Sequence, residues 1–156
     1  MKRYIMLSCL LIIAIATFIT GLQAQTKQMV PPSSMTKIEE LVDRYFISLN
    51  EPDDKKRREL IKEVWSDKGK FGVVPFIEGD GLVGIDEVTK GGITKFPGCT
   101  VRRTSKVDGA GNYYRWNFTL STADGRPLSS GVDFAVIVDG KLQSVMGFLD
   151  FVVEIK

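Results

Sequence analysis

Asp133 is the residue whose setting most clearly calls for chemistry. It lies in Val132-Asp-Phe-Ala-Val-Ile-Val138, a run that is apolar at both parities. A strand with one wet face alternates, whereas a strand apolar on both sides is covered on both sides. An ionised carboxylate there costs several kcal/mol unless it is paired or hydrogen-bonded. Left without a cation, its pKa rises toward neutrality, and it becomes a candidate acid, base or hydrogen-bond donor. Other nucleophiles and ligands are scarce. The chain has no histidine and only two cysteines, Cys9 and Cys99. His-based triads and His-ligated metals are therefore excluded, and the composition calls for no metal and no cofactor. Cys99 follows Pro97-Gly98 without a basic neighbour that would activate its thiol.

Three consecutive antiparallel strands position Asp133: Tyr113–Ser121, Leu128–Val138 and Lys141–Val152. Asp139-Gly140 between two apolar runs is a strong hairpin signal, because both turn positions want positive φ. Upstream, Thr36-Lys-Ile-Glu39 fits a capping box that opens a helix. Its apolar stripe is Ile38, Leu41, Val42, Tyr45, Phe46 and Leu49. Asp53-Asp54 opens a second helix with a stripe of Leu60, Ile61, Val64 and Trp65, and Lys55-Lys-Arg-Arg58 reads as its solvated face. Phe71 to Ile77 reads as a strand interrupted by Pro75, hence an edge or a bulge. Gly79-Asp-Gly-Leu-Val-Gly84 matches a dinucleotide fingerprint by letter. The antiparallel hairpins that follow it argue instead for a glycine-rich turn into a short helix, Asp86–Lys95. Thr100–Val107 is a further strand, turned into Tyr113 by Asp108-Gly-Ala-Gly-Asn112. Asn117-Phe-Thr119 matches a glycosylation sequon, but its place inside a strand argues against use.

At the N-terminus, Lys2-Arg3 precedes an apolar run from Tyr4 to Leu22 that ends at Ala24. Residues 1–24 read as a secretory signal peptide cleaved near Ala24, residues 25–34 as a linker, and residues 35–156 as one domain. Export to the periplasm or outside the cell is expected, with a membrane anchor only if residues 4–22 remain uncleaved. Lys2 and Arg3 are the only charged residues of that leader, so the formal charge of +2 belongs to the uncut chain. A neutral domain without a basic aromatic face predicts no nucleic-acid partner.

The order of elements and several short stretches resemble the NTF2-like superfamily, in its SnoaL-like and ketosteroid-isomerase-like branch. The stretches are Asp43-Arg-Tyr-Phe-Ile-Ser-Leu-Asn50, Gly84-Ile-Asp-Glu-Val88, Phe96-Pro-Gly98, Gly131-Val-Asp-Phe134 and Asp139-Gly-Lys-Leu142 through Gly147-Phe-Leu-Asp150. The resemblance implies an α+β cone: a curved, mostly antiparallel sheet with three helices covering one face around a pocket. It also implies that Tyr45 and Asp133 match the helix tyrosine and strand aspartate that hold an oxyanion in isomerases of this fold. The isomerase base precedes a proline on the first strand, and here Val74 precedes Pro75. Epoxide hydrolases of the fold pair Arg and Asp two apart on one strand with a last-strand acid. Here Arg115-Trp-Asn117 and Gly147 lack both acids. The related cyclases use a histidine, which is absent.

Aligning the hairpin turns on that family places Arg115, Asn117, Asp133 and Leu149 on the pocket side, with Trp65 and Val74 as apolar wall. Tyr114, Trp116, Phe118, Phe134 and Phe148 then share the other face, a patch large enough to predict a homodimer. The opposite assignment, with the aromatic face under the helices, follows the usual polar-out alternation. The sequence supports a domain that binds a small, partly apolar molecule through Tyr45, Arg115, Asn117 and Asp133. An internal Asp133–Arg115 pair without a ligand is the structural counterpart of that reading. The alternatives are an isomerase, cyclase or dehydratase acting on a carbonyl compound through Asp133, and a protein-interaction module using the aromatic face.

Overall fold

A computed structural model describes residues 32–152 of the chain, with side chains from 35 to 151. The expected signal peptide, most of the linker and the last four residues lie outside the described residues. Helix α1 spans Pro32–Asn50 and α2 spans Asp54–Val64. Strands β1 (Trp65–Val74) and β2 (Ile77–Asp80) lead into helix α3 (Gly81–Lys95). Strands β3 (Thr100–Arg103), β4 (Asp108–Ala110), β5 (Tyr113–Ser121), β6 (Pro127–Val138) and β7 (Lys141–Val152) complete the chain. The strands form one seven-stranded sheet in the order β2-β1-β7-β6-β5-β3, with β4 also on β5. Its pairings are antiparallel except β1 with β7. This is the expected α+β cone, a curved open sheet closed on one side by three helices.

The long strands fall where the apolar runs predicted. Asp139 and Gly140 hold φ of 51° and 72°, as a two-residue turn requires. Other boundaries moved. α1 begins at Pro32 rather than at Thr36, because proline suits a first helical turn that needs no N–H donor. Trp65 leaves the α2 stripe and starts β1, although it stays buried. Pro75 lies in a turn between two strands, which makes β2 the edge and β1 an interior strand. α3 starts five residues earlier than expected. A Cβ on Gly79 would lie 2.4 Å from the Gly84 carbonyl oxygen, so these glycines let strand and helix backbones touch. The predicted strand Thr100–Val107 keeps only its first half as β3, ending before Ser105 Oγ accepts the Asn117 N–H at 2.9 Å, and the predicted turn after it holds the short strand β4, Asp108–Ala110.

Two polar anchors hold the helices against the sheet. Asn50 donates to the Val101 carbonyl and accepts the Val101 N–H, both at 2.8 Å, so the end of α1 acts like a strand partner for β3. Arg57 was expected on a solvated face, but only 1% of it is exposed. It donates to Asp86 at 2.7 Å, to Asp54 at 2.8 Å and to the Glu51 carbonyl at 3.2 Å. The aliphatic stripe of α2 buries against its neighbours, and Arg57 is carried in with it. Full pairing makes that burial tolerable and ties α2 to α3.

The largest correction concerns β5. Trp116 stands directly opposite Asp133, so the two share a face. Tyr114, Trp116 and Phe118 therefore enter the core, while Arg115 and Asn117 point outward and are exposed. The ladder between β5 and β6 shifts between Leu120 and Ser121. One extra residue at such a bulge inverts every side chain of a strand counted from its turn.

Candidate functional site

Between α1, α3 and the concave sheet lies a cavity of about 630 Å³. Its wall is mainly apolar, with Leu49, Phe71, Val73, Phe118, Leu128 and Leu149 among the lining side chains. These residues reach it because α1 presents its stripe to the sheet and because β1, β5, β6 and β7 present alternate positions. Glu87 and Lys95 are exposed at its α3 side, and the buried polar groups in the wall are mostly engaged. Asn50 bonds β3, Thr89 donates to the Ile85 carbonyl at 2.8 Å, and Ser129 donates to the Phe151 carbonyl at 2.9 Å.

Asp133 is the exception. It is 3% exposed and lines the cavity. Its Oδ2 accepts the Trp116 Nε1–H at 2.9 Å and the Tyr45 hydroxyl at 3.2 Å. Its Oδ1 accepts nothing. No buried side-chain nitrogen or oxygen of the described residues lacks a partner, so Oδ1 is open to the cavity. Gly147, opposite Asp133 on β7, keeps it open, since a Cβ there would lie 2.9 Å from Oδ1. Burial pushes the Asp133 carboxyl up to about 7, and the hydrogen bonds from Trp116 and Tyr45 offset only part of that rise. Burial, and then the neighbouring carboxylate, push the Tyr45 phenol well above its ordinary value, so it remains a donor.

Titrating at about 7, Asp133 holds its proton mainly below neutral pH, and the hydrogen bonds place it. Oδ2 is occupied by two donors and acts as the carbonyl oxygen. Oδ1 takes the hydrogen and offers it to the cavity. A protonated carboxylic acid in an apolar site is a strong donor to a carbonyl or an oxyanion.

Of the residues expected at the site, Tyr45, Asp133 and Leu149 come together around the cavity. Trp65 is buried against Tyr45, ring centroids 5.9 Å apart, but does not form the wall. Val74 is 44% exposed, and its neighbour Val73 takes the wall position instead. Arg115 pairs on the outer surface with Asp108 at 3.0 Å, so the expected Asp133–Arg115 pair is absent. Asn117 is likewise on the outer face. The expected aromatic patch is divided, since Tyr114, Trp116 and Phe118 face inward. Phe134 and Phe148 stay outside, edge-to-face at 5.8 Å, 47% and 45% exposed. Trp116 was not expected at the site. A buried indole needs an acceptor and a buried carboxylate needs donors, and that mutual demand was its only signal. Among the described residues, no cluster of His, Cys, Asp or Glu could hold a metal ion.

No family model matches the sequence, and no curated protein matches it. Solved structures do. A candidate isomerase of the SnoaL-like family from Agrobacterium tumefaciens is 29% identical, with a TM-score of 0.70 over 74% of this chain and 99% of that one. A candidate SnoaL-like polyketide cyclase from Jannaschia is 16% identical, with a TM-score of 0.63 over 80% and 91%. A candidate ketosteroid isomerase from Kribbella flavida is 19% identical, with a TM-score of 0.57 over 78% and 83%. The last two speak for the fold alone.

Proposed function

Starting from an NTF2-like fold that resembles the SnoaL-like, ketosteroid-isomerase-like branch, we propose that this chain binds a small, largely apolar carbonyl compound and polarises its carbonyl with protonated Asp133. One observation carries this reading: a sealed carboxyl with no cation beside it, one oxygen held by two donors and the other open to an apolar cavity. The cavity volume suits a ligand of drug-like size, for which pockets of about 300–1,000 Å³ are usual. An amine would need the carboxylate charged, which burial opposes.

The test compares acetylnaphthalene with ethylnaphthalene, which lacks the oxygen, by equilibrium binding. At pH 6 the ketone should bind about tenfold tighter, a hydrogen bond's worth. The preference should fade as pH rises through about 7, where the acid loses its proton. Asp133→Asn keeps an acceptor for Trp116 and Tyr45 and presents an N–H to the cavity, so it should retain the preference at every pH. Asp133→Leu should abolish it. Equal binding of the two probes to the unsubstituted protein contradicts the reading.

Catalysis of isomerisation, cyclisation or dehydration is the second reading, favoured by a carboxyl that titrates near working pH. A polarised carbonyl still needs a base for the adjacent C–H, and the family's base position holds Val74, outside the cavity wall. Turnover of an enone or hydroxyketone that survives Asp133→Leu would count against it. Two further proposals concern the whole chain. The leader at residues 1–24 supports export. The exposed Phe134, Phe148 and Phe151 support a homodimer through the outer sheet face. Sedimentation at micromolar concentration should give twice the monomer mass, and Phe134→Lys with Phe148→Lys should give the monomer.

A further inference from the structure

Glycine inside a helix is destabilising relative to alanine, because it loses more backbone freedom on folding and adds no packing. Two in succession need a reason. α3 carries Gly91 and Gly92 in its second half. Other glycines of the chain have visible reasons. A Cβ on Gly131 would lie 2.1 Å from the Phe148 carbonyl oxygen, those on Gly69, Gly72, Gly79, Gly109 and Gly147 would also come within 3 Å of a neighbour, and that on Gly84 would lie 3.2 Å from the Gly79 backbone. Gly81, Gly98, Gly111, Gly125 and Gly140 hold positive φ. Gly91 and Gly92 have neither: neither holds positive φ, and a Cβ on either would meet nothing within 4 Å. Among the described glycines, these two alone lack both reasons.

They do not end the helix either. The Phe96 N–H still bonds the Gly92 carbonyl at 3.0 Å, and α3 runs on to Lys95. Nor is the helix loose where they begin. Asp86 is held by Arg57 and Lys90 by Asp54, each at 2.7 Å, immediately before them. Both glycines line the Asp133 cavity. Gly91 is exposed and Gly92 half-buried, so side chains there would stand in open space at the cavity's α3 edge.

We propose that Gly91 and Gly92 are specificity-determining residues: their bare backbone widens the cavity at the α3 wall to admit a broad, flat apolar group. The proposal rests on the reading of this cavity as a ligand site, for which the open Oδ1 of buried Asp133 is independent support. Asp133 selects the ligand's polar end, and the glycines set the width of its body. A helix that would be more stable with alanine keeps glycine because alanine would narrow the site.

The test is Gly91→Ala with Gly92→Ala, with Gly92→Ala alone as the milder variant. The Tm should rise by about 5 °C from helix propensity. Affinity for acetylpyrene should fall about tenfold, while affinity for the slimmer acetylnaphthalene should stay within twofold. A lowered Tm would overturn the proposal by revealing a structural need for glycine. So would an equal change, or no change, for the two ketones. The carbonyl requirement is read separately, from acetylpyrene against ethylpyrene on the unsubstituted protein. Its loss overturns the Asp133 reading while the size ratio between the two ketones still reports on the glycines. Failure of the unsubstituted protein to bind either ketone overturns both.

Discussion

Among the described residues, one basic and one acidic side chain are sealed from solvent, Arg57 and Asp133, and they are treated in opposite ways. Arg57 is surrounded by Asp54, Asp86 and backbone carbonyls, so its charge is balanced where it sits. Its partner Asp54 is held down to about 2 by hydrogen bonds from Lys90 and Arg57. Asp133 receives two hydrogen bonds and no cation, and burial pushes it up to about 7. The first arrangement ties two helices together and leaves nothing for a ligand. The second leaves one oxygen open to a cavity and a proton that can be offered or withdrawn. A chain able to neutralise one buried charge this completely has left the other unneutralised at the cavity wall.

The largest expected effect would sharpen that contrast through pH. Asp133 binds a proton in the folded state at pH values where the unfolded chain, with a carboxyl near 3.8, has lost it. A raised carboxyl therefore contributes stability that is fully present below the unfolded pKa and is lost as pH rises through about 7. The loss amounts to at most about 4 kcal/mol at 1.36 kcal/mol per pH unit. Urea unfolding of the unsubstituted protein should show this slope between its two pKa values, and Asp133→Asn should flatten it. A slope that persists in Asp133→Asn would assign the titration to another group.

Next in size, Asp86→Ala should cost about 3 kcal/mol, because it leaves buried Arg57 short of a partner. The loss should appear as a lower urea midpoint at both pH 6 and pH 8, with ligand pH dependence unchanged. If Asp86→Ala instead moved the Asp133 titration, the two regions would be one network. A smaller effect is expected of Trp116→Phe, about 1 kcal/mol for one lost hydrogen bond. The indole lowers the Asp133 pKa, so its removal should move the ligand-binding transition to higher pH. A downward move would contradict the assigned role of Trp116.

The sequence made part of this contrast legible. Apolar neighbours on β6 marked Asp133 as a carboxylate in need of partners, although only its own face of the strand is dry and Phe134 on the other is exposed, and the family resemblance set Tyr45 beside it. Arg57 was hidden in a run of four basic residues, where composition suggests a wet face and only the α2 packing shows which one turns in. The orientation of β5 depended on a bulge at Leu120/Ser121, which no residue type announces. Trp116 was consequently assigned to the wrong face, and Arg115 and Asn117 to the pocket. The paired glycines of α3 carry no signal of their own in the sequence, and only the open space beside them sets them apart.

The most direct test is to follow the carbon-13 shift of the Asp133 side-chain carboxyl by NMR from acid to mildly alkaline pH, with Asp133→Asn to assign the signal. The expected midpoint is about 7, with the protonated form dominant at pH 6. A midpoint at the ordinary 3.8 or below would mean a charged Asp133 at neutral pH. It would then be no donor to a carbonyl, and the proposed function would fall.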